Sequence, residues 1–491
     1  MPPLLKKNME QIKEFFFQNK NIRQTIVKNV IWLSGGVTIS RVIRSLMIIY
    51  AARILGAEGY GVFSYVISFA AIFNIFSDIG ISSLLTRELV KRTEKKEYLA
   101  TSFVLKITLV ILTALIIAFV SPFFTNITEA KPLMIIMAGL IAFDSMRGFL
   151  FSVSRAENRM QFESIFEIIM EIFITSIGFI ILYNIPSVKN FALGYLLAGA
   201  LGFILIMISM RKYFSGIFKY FKKDLVIEIL KSAWPFAIIG IFGVLMTNID
   251  SVIIGFFKPV KDLGLFAAAQ KPISMFYLIP GFISASLFPF LSKFIKDNDD
   301  NRLSIILKKS MIVSLGLALP ITVGGIIIAS PLINVIYGYE YIGAVPTFQL
   351  LLLTLIPIFP GVILSSTLLA LDKQKIFIKS SIIGATINMT FNFLLIPTYG
   401  IVGSAIATVL ANIAVNGIFL MEVRKTHKIN IWKDMQKIII ALIIMTIMVL
   451  IMKILLWPLI LIITIAIIIY FGILFLLKEK LIQDIKQGFT I

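Results

Sequence analysis

The chain has 491 residues, 58% of them hydrophobic and 15% charged, with 42 Phe, no Cys and a mean hydropathy of +0.96. This composition excludes a soluble domain, and the missing cysteine excludes a disulfide framework, an iron–sulfur cluster and a thiol nucleophile. A net charge of +20, from 46 Lys+Arg against 26 Asp+Glu, would raise nucleic acid as a partner in a soluble protein. In a membrane protein it is the excess of basic residues in cytoplasmic loops, and no nucleic acid is expected.

Continuous apolar runs of about 20 residues, with no alternating ten-residue segments, predict an all-α polytopic membrane protein and not a barrel. About fourteen spans are expected. A basic N-terminal segment (1–28) lacks the apolar region of a signal peptide and is expected to be cytoplasmic. Six spans, at 30–52, 60–84, 99–120, 132–154, 162–183 and 191–210, make an N-lobe (29–210), and a basic amphipathic connector (211–231) follows it. Six more, at 233–256, 263–291, 303–329, 345–371, 376–396 and 402–423, make a C-lobe (232–424). A final pair (437–477), at 438–456 and 459–477, precedes a cytoplasmic tail (478–491). With the N-terminus inside, 35 of the 46 Lys+Arg fall on the cytoplasmic side, six outside and five within spans. That asymmetry places both termini in the cytoplasm.

The chain also repeats itself. Gly61-Val62-Phe63, at the join of spans one and two, matches Gly264-Leu265-Phe266 at the join of seven and eight, and Phe162 matches Phe377. Six spans per copy gives parallel topology, so the repeat implies two lobes related by an axis along the membrane normal, with a central cleft. The last two spans have no counterpart.

Ionisable groups inside spans are functional candidates, because each costs roughly 2.5 to 3.5 kcal/mol at the centre of a lipid-facing helix. Arg41 and Arg44 lie at mid-depth in span one, where a helix also aligns Ser34, Thr38 and Ser45 with Arg41. They read as a cavity-lining anion site or, alternatively, as members of structural ion pairs. Asp78, one turn after Asn74 in span two, is the expected partner for one of them. Asp144 and Arg147, three apart in span four, are expected to satisfy each other. Glu163, Glu167 and Glu171 form an acidic stripe in span five. The first two are expected to meet Arg155 and Arg159, and Glu171, about 13 Å into the helix, is a candidate coupling or proton-carrying carboxylate. In the second half Asp250 is expected to pair with Lys271. Asn388 and Asn392 read as helix–helix glue, and Pro235, Pro272, Pro280, Pro289, Pro320, Pro357 and Pro360 as sources of kinks. The single His427, in EVRKTHKIN, reads as a solvated loop residue, since one His cannot make a metal site.

The stretch VTISRVIRSLMIIYAARILGAEGYGVFSYVISFAAIFNIFSDIGISSLLTRELVKR resembles the start of the polysaccharide exporters, especially the O-antigen-unit flippases, of the multidrug/oligosaccharidyl-lipid/polysaccharide flippase superfamily. Its most specific part is R-x-L-G-A-x-x-Y-G-x-F/Y, here Arg53, Leu55, Gly56, Ala57, Tyr60, Gly61 and Phe63, and the resemblance extends over essentially the whole chain. It implies transport of an undecaprenyl- or dolichyl-diphosphate-linked sugar unit from the cytoplasmic to the outer leaflet of the inner or plasma membrane, by alternating access in a cationic cleft. The related lipid II flippases hold the diphosphate with arginines in their first and eighth helices. The positions that match are Arg41 and Arg44, with Lys271 in place of a helix-eight arginine, a point charge and not a bidentate fork. Asp78 and Arg147 join the candidate substrate site. Glu171 and Asp250 are the candidate coupling residues for a Na+ or H+ gradient, no cofactor is expected, and glycan-assembly enzymes are candidate partners. The multidrug exporters of prokaryotes often carry a coupling carboxylate in span one, and this chain has none there.

The nearest rival is a cation-coupled multidrug antiporter, which would want acidic, aromatic-lined pockets. A membrane-embedded glycan polymerase or glycosyltransferase is a second, and the short basic loops argue against it. The sequence G-x-x-x-x-G-K-[ST] of ATP-driven transport is absent.

Overall fold

The computed structural model describes residues 22–92, 94–427 and 429–477; most of the expected N-terminal segment and all of the expected tail lie outside them. Among the described residues there are helices and no strand. In order, those of eight residues or more are α1 (Ile22–Asn74), α2 (Ile81–Lys91), α3 (Lys95–Leu115), α4 (Leu133–Ala156), α5 (Met160–Asn184), α6 (Val188–Ser209), α7 (Asp224–Phe257) and α8 (Val260–Phe276). There follow α9 (Leu278–Lys296), α10 (Asp300–Tyr337), α11 (Val345–Leu352), α12 (Leu355–Ala370), α13 (Lys375–Arg424), α14 (Trp432–Ile454) and α15 (Leu459–Leu476). Large apolar side chains such as Leu46, Ile180, Leu394 and Ile468 are 60% to 64% exposed on their helices. Such surfaces suit hydrocarbon and not water.

Eleven helical stretches among the described residues are long and apolar enough to cross a membrane, or twelve if Tyr339–Leu352 and Leu355–Ala370, bent by 42°, form one span. Two of these stretches exceed a single crossing: Ile31–Ser77 has 47 residues and Lys375–Arg424 has 50, each about 70 Å of helix against a hydrocarbon core of ~30 Å. Each contains one residue with non-helical backbone, Gly56 (φ 69, ψ 175) and Gly400 (φ 59, ψ −139). Only glycine adopts such angles without strain, so these positions are where one helical arm gives way to the next. The expected fourteen crossings require that both long stretches be two spans folded at their glycines.

Three boundaries differ from expectation. Span two does not run to Leu84: helix stops at Asn74, a 3-10 turn covers Ile75–Ser77, and Ile79 (φ 40) and Gly80 (φ 85) turn the backbone before α2 begins. Positive φ at a β-branched residue is an outlier, and it is held in place because Gly80 packs on α7, where a Cβ would lie 2.7 Å from the carbonyl oxygen of Ala233. Span ten breaks between Leu352 and Leu355. The connector is helical only over Arg211–Phe214 and Ile217–Tyr220, and from Asp224 the chain is already α7.

The chain forms two compact units. One comprises Val62–Val252 with the residues up to Leu55, and the other comprises Gly56–Gly61 with the residues from Ile253. The first is cored by Leu84, Tyr98, Phe103, Phe149 and Ile206. In the second, Leu287, Leu307, Leu364 and Val423 form one core. Ile328, Ile438, Met445 and Leu474 form another that joins α10 to α14 and α15, where the buried Tyr470 hydroxyl donates to the Gly316 carbonyl at 2.6 Å.

The Gly56–Gly61 part of the R-x-L-G-A-x-x-Y-G string has a physical basis within the second unit. The Ala57 amide donates to Glu340 Oε1 at 2.8 Å. A Cβ on Gly61 would lie 2.1 Å from the Val260 carbonyl oxygen, and one on Gly264 would lie 1.8 Å from that of Ala57. The two glycines paired by the internal repeat are thus the points where two backbones touch.

Candidate functional site

The ionisable groups of the first unit converge across neighbouring helices. In α1 the hydroxyls of the polar stripe turn back on the helix itself: Thr38 Oγ1 donates to the Ser34 carbonyl and Ser45 Oγ to the Arg41 carbonyl, both at 2.7 Å. These two hydroxyls therefore add no outward donors. Arg44 forms an ion pair with Glu171 of α5, whose side chain is fully buried while that of Arg44 keeps 40% exposure. The geometry leaves Glu171 Oε2 and Arg44 Nε without hydrogen-bond partners, so the pair retains capacity for one further group. Arg41 is exposed, and its guanidinium has no hydrogen bond or ion pair among the described residues.

One helix away, Arg147 of α4 pairs with Asp144, as the spacing predicts, and lies 3.8 Å from Glu167 of α5. Arg155 takes Glu163, with Nε to Oε2 at 2.7 Å. The expected Glu167 partner is thus replaced: Arg159 lies instead 3.8 Å from Glu157, because it follows the end of α4 and cannot reach a turn further into α5.

Asp78 does not pair with Arg41 or Arg44. The break at Ile79 and Gly80 carries it to α3, where Oδ1 lies 3.6 Å from Lys106 Nζ and accepts the Ser82 amide at 2.9 Å. Asp78 thereby caps α2 and faces a lysine that is 0% exposed and whose ammonium makes no hydrogen bond. Lys106 is the residue to which the sequence reading gave no role. The signal for Lys106 was present, as a lone cation in an apolar run.

Arg44, Arg147 and the carboxylates Asp144, Glu167 and Glu171 are therefore brought together, with Lys106 and Asp78 as a neighbouring pair and Arg41 without a partner among the described residues. Of the remaining candidates, Asp250 in α7 is 1% exposed and Lys271 in α8 is half-buried; both are engaged with other groups. Asn392 donates to Asn388 at 3.1 Å along its own helix. His427 is not solvated: it is 4% exposed, with Nδ1 at 2.8 Å from Thr426 Oγ1 and Nε2 at 3.3 Å from Asp300 Oδ1, so it ties the α13–α14 loop to the start of α10. Among the described residues no cluster of His, Cys, Asp and Glu could hold a metal ion.

Ionisable groups shared among several membrane helices in this way are candidates for function. The family model "Polysaccharide biosynthesis protein" matches residues 26–295, more than half of the chain. The chain belongs to that family. A second model, MatE, matches residues 235–394. A probable low-salt glycan biosynthesis flippase of Haloferax volcanii is 25% identical over 74% of this chain and 76% of its own length. A putative O-antigen transporter of Shigella flexneri is 22% identical over 78% and 94%. Among solved structures, lipid II flippase MurJ in an inward closed conformation matches with a TM-score of 0.74 and 21% identity, over 92% of this chain and all of that one. An inward-facing multidrug transporter of the MATE family matches less well, at a TM-score of 0.57 and 16% identity, over 81% and 94%. The fold is that of the multidrug/oligosaccharidyl-lipid/polysaccharide flippase superfamily, and the chain is a multi-pass membrane transporter of this family, involved in polysaccharide biosynthesis.

Proposed function

We propose that this polysaccharide biosynthesis family member is a flippase that moves a lipid-diphosphate-linked oligosaccharide from the cytoplasmic to the outer leaflet by alternating access. Its site is a plasma (inner) membrane with both termini cytoplasmic, and its product feeds cell-surface polysaccharide or glycan assembly without covalent catalysis. The observation that carries this reading is Arg41, an exposed guanidinium with no partner among the described residues on an apolar helix, one turn from Arg44. A cation retained there at a cost of a few kcal/mol needs an anion, and a diphosphate would take charge-assisted hydrogen bonds from it. The names of the matched relatives, a glycan biosynthesis flippase and an O-antigen transporter, support the same substrate class.

In this scheme Arg41 contacts the diphosphate directly, and Arg44 does so by exchanging Glu171 for substrate. Arg147 and Asp78 hold the electrostatic frame. Glu171, freed when Arg44 turns to the anion, is the carboxylate that would take up H+ or Na+, with Asp250 as the second candidate. The polyprenyl or dolichyl chain stays in hydrocarbon.

The test is Arg41→Ala with Arg44→Ala, assayed for outward display of the glycan in protein shown to be folded and membrane-inserted. Loss of display is expected, and undiminished display would sink the reading. The second reading, a cation-coupled multidrug antiporter, draws on the MatE match; efflux of cationic drugs that survives the double substitution would favour it.

A further inference from the structure

The first unit carries a second cationic pocket, away from Arg41 and Arg44, at the membrane boundary where α2 ends, α3 begins and α4 ends. The connector folds over these ends and closes a cavity of about 280 Å³. Its rim holds Lys95, Lys96 and Lys212, all exposed. Its floor is apolar, made by Leu89, Leu99, Val153 and Ile217. Lys96 lies 5.3 Å from the centre of the Tyr220 ring, and Lys95 and Lys212 have no ion-pair partner among the described residues. The one carboxylate in the lining, Glu157, is already engaged by the Tyr213 hydroxyl and lies 3.8 Å from Arg159.

Two features select an amphiphile over a free anion. Cations above an apolar floor match a charged head joined to hydrocarbon. The connector that supplies the lid, RKYFSGIFKYFKK (211–223), holds five cations and no acid, and Phe218, Tyr220 and Phe221 are 62%, 40% and 41% exposed. Basic residues interleaved with exposed aromatics at the end of a span form an interfacial anchor for anionic lipid. We propose that this pocket binds the phosphate of an anionic phospholipid, a ligand distinct from the transported glycolipid.

Full-length protein, purified in detergent and exposed to equal phosphatidylglycerol and phosphatidylcholine, is read by native mass spectrometry. Preferential retention of phosphatidylglycerol is expected. Lys95→Gln with Lys96→Gln and Lys212→Gln should reduce retention on the order of a hundredfold, since each interfacial cation is worth about a fivefold factor. The matching Lys→Arg variant should retain the lipid, as should Lys258→Gln with Lys261→Gln, which lies elsewhere. If the triple variant fails to match the parent in thermal unfolding, Lys212→Gln alone should still cost about fivefold. Equal retention of both lipids, or undiminished retention by the folded Gln variants, overturns the proposal. Displacement of phosphatidylglycerol by millimolar inorganic phosphate also overturns it, in favour of a free-anion site.

Discussion

In the first unit, α1, α4 and α5 pair carboxylates with guanidinium groups, one member of each pair buried, and α3 adds a fully buried lysine opposite Asp78. In the second, α10, α14 and α15 enclose a cavity of about 410 Å³ with no charged residue in its lining, and the α8 region is joined by backbone contact at glycines. The two kinds of interior fail differently. An ionic interior tolerates changes of shape but not the loss of one partner, whose counter-charge then stays buried alone. An apolar, close-packed interior tolerates loss of polarity but not added volume.

The largest expected effect is on the packed side. Gly264→Ala puts a methyl 1.8 Å from the Ala57 carbonyl oxygen and should cost about 3 kcal/mol, seen as a lowered thermal midpoint or loss of folded protein; Gly148→Ala, with open space at its Cβ, should be silent. On the ionic side, Asp78→Ala removes a helix cap and strands Lys106, and should also cost about 3 kcal/mol. Next comes Arg41→Gln, expected to leave the unfolding midpoint in place and reduce glycan display roughly tenfold to a hundredfold, the worth of one charge-assisted hydrogen bond. Lys106→Met breaks the same pair as Asp78→Ala from the other side, yet removes the buried charge itself; stability should change by less than about 1 kcal/mol. Equal damage from both would show that the pair acts by attraction and not by avoiding a stranded ion.

The smallest effect tests charge outside the spans. Burial would push the Glu88 carboxyl up, but hydrogen bonds from Arg92 and Arg87 outweigh it and hold the group below the usual carboxylate range. A depressed carboxylate stabilises the fold above its unfolded value, about 4.3, and that contribution is lost as pH falls through the folded one. Glu88→Gln should therefore lower the midpoint slightly at neutral pH, by less than about 1 kcal/mol, and leave it unchanged near pH 3.

Much of this was legible in the sequence because lipid makes each charge conspicuous. Arg41, Arg44, Asp144, Arg147 and the four-residue spacing of Glu163, Glu167 and Glu171 stood out, and the Asp144–Arg147 pair followed from helical spacing alone. What failed was pairing across helices. Arg44 finds Glu171 at a separation of 127 residues, which no local period encodes. Asp78 seemed to belong with Arg41 and Arg44 because an unbroken span two would have kept it on that hairpin. The Asp-Ile-Gly turn that redirects it rests on a positive φ at isoleucine, which propensity argues against. His427 was misread because a polar loop suggests water, whereas its loop is packed against the start of α10.

The contact between Ala57 and Glu340 also bears on how the protein is made. The turn at Gly56–Gly61 leaves the ribosome early, and Glu340 follows 283 residues later, about 15 to 60 seconds at ordinary rates of synthesis. Through that interval the first hairpin must be held in the bilayer with its turn undocked. Its completion then reports that α8 and the segment after α10 have both been inserted. A chain stalled before Glu340 would display an unfilled turn, a local mark by which quality-control proteases could distinguish an unfinished transporter from a finished one.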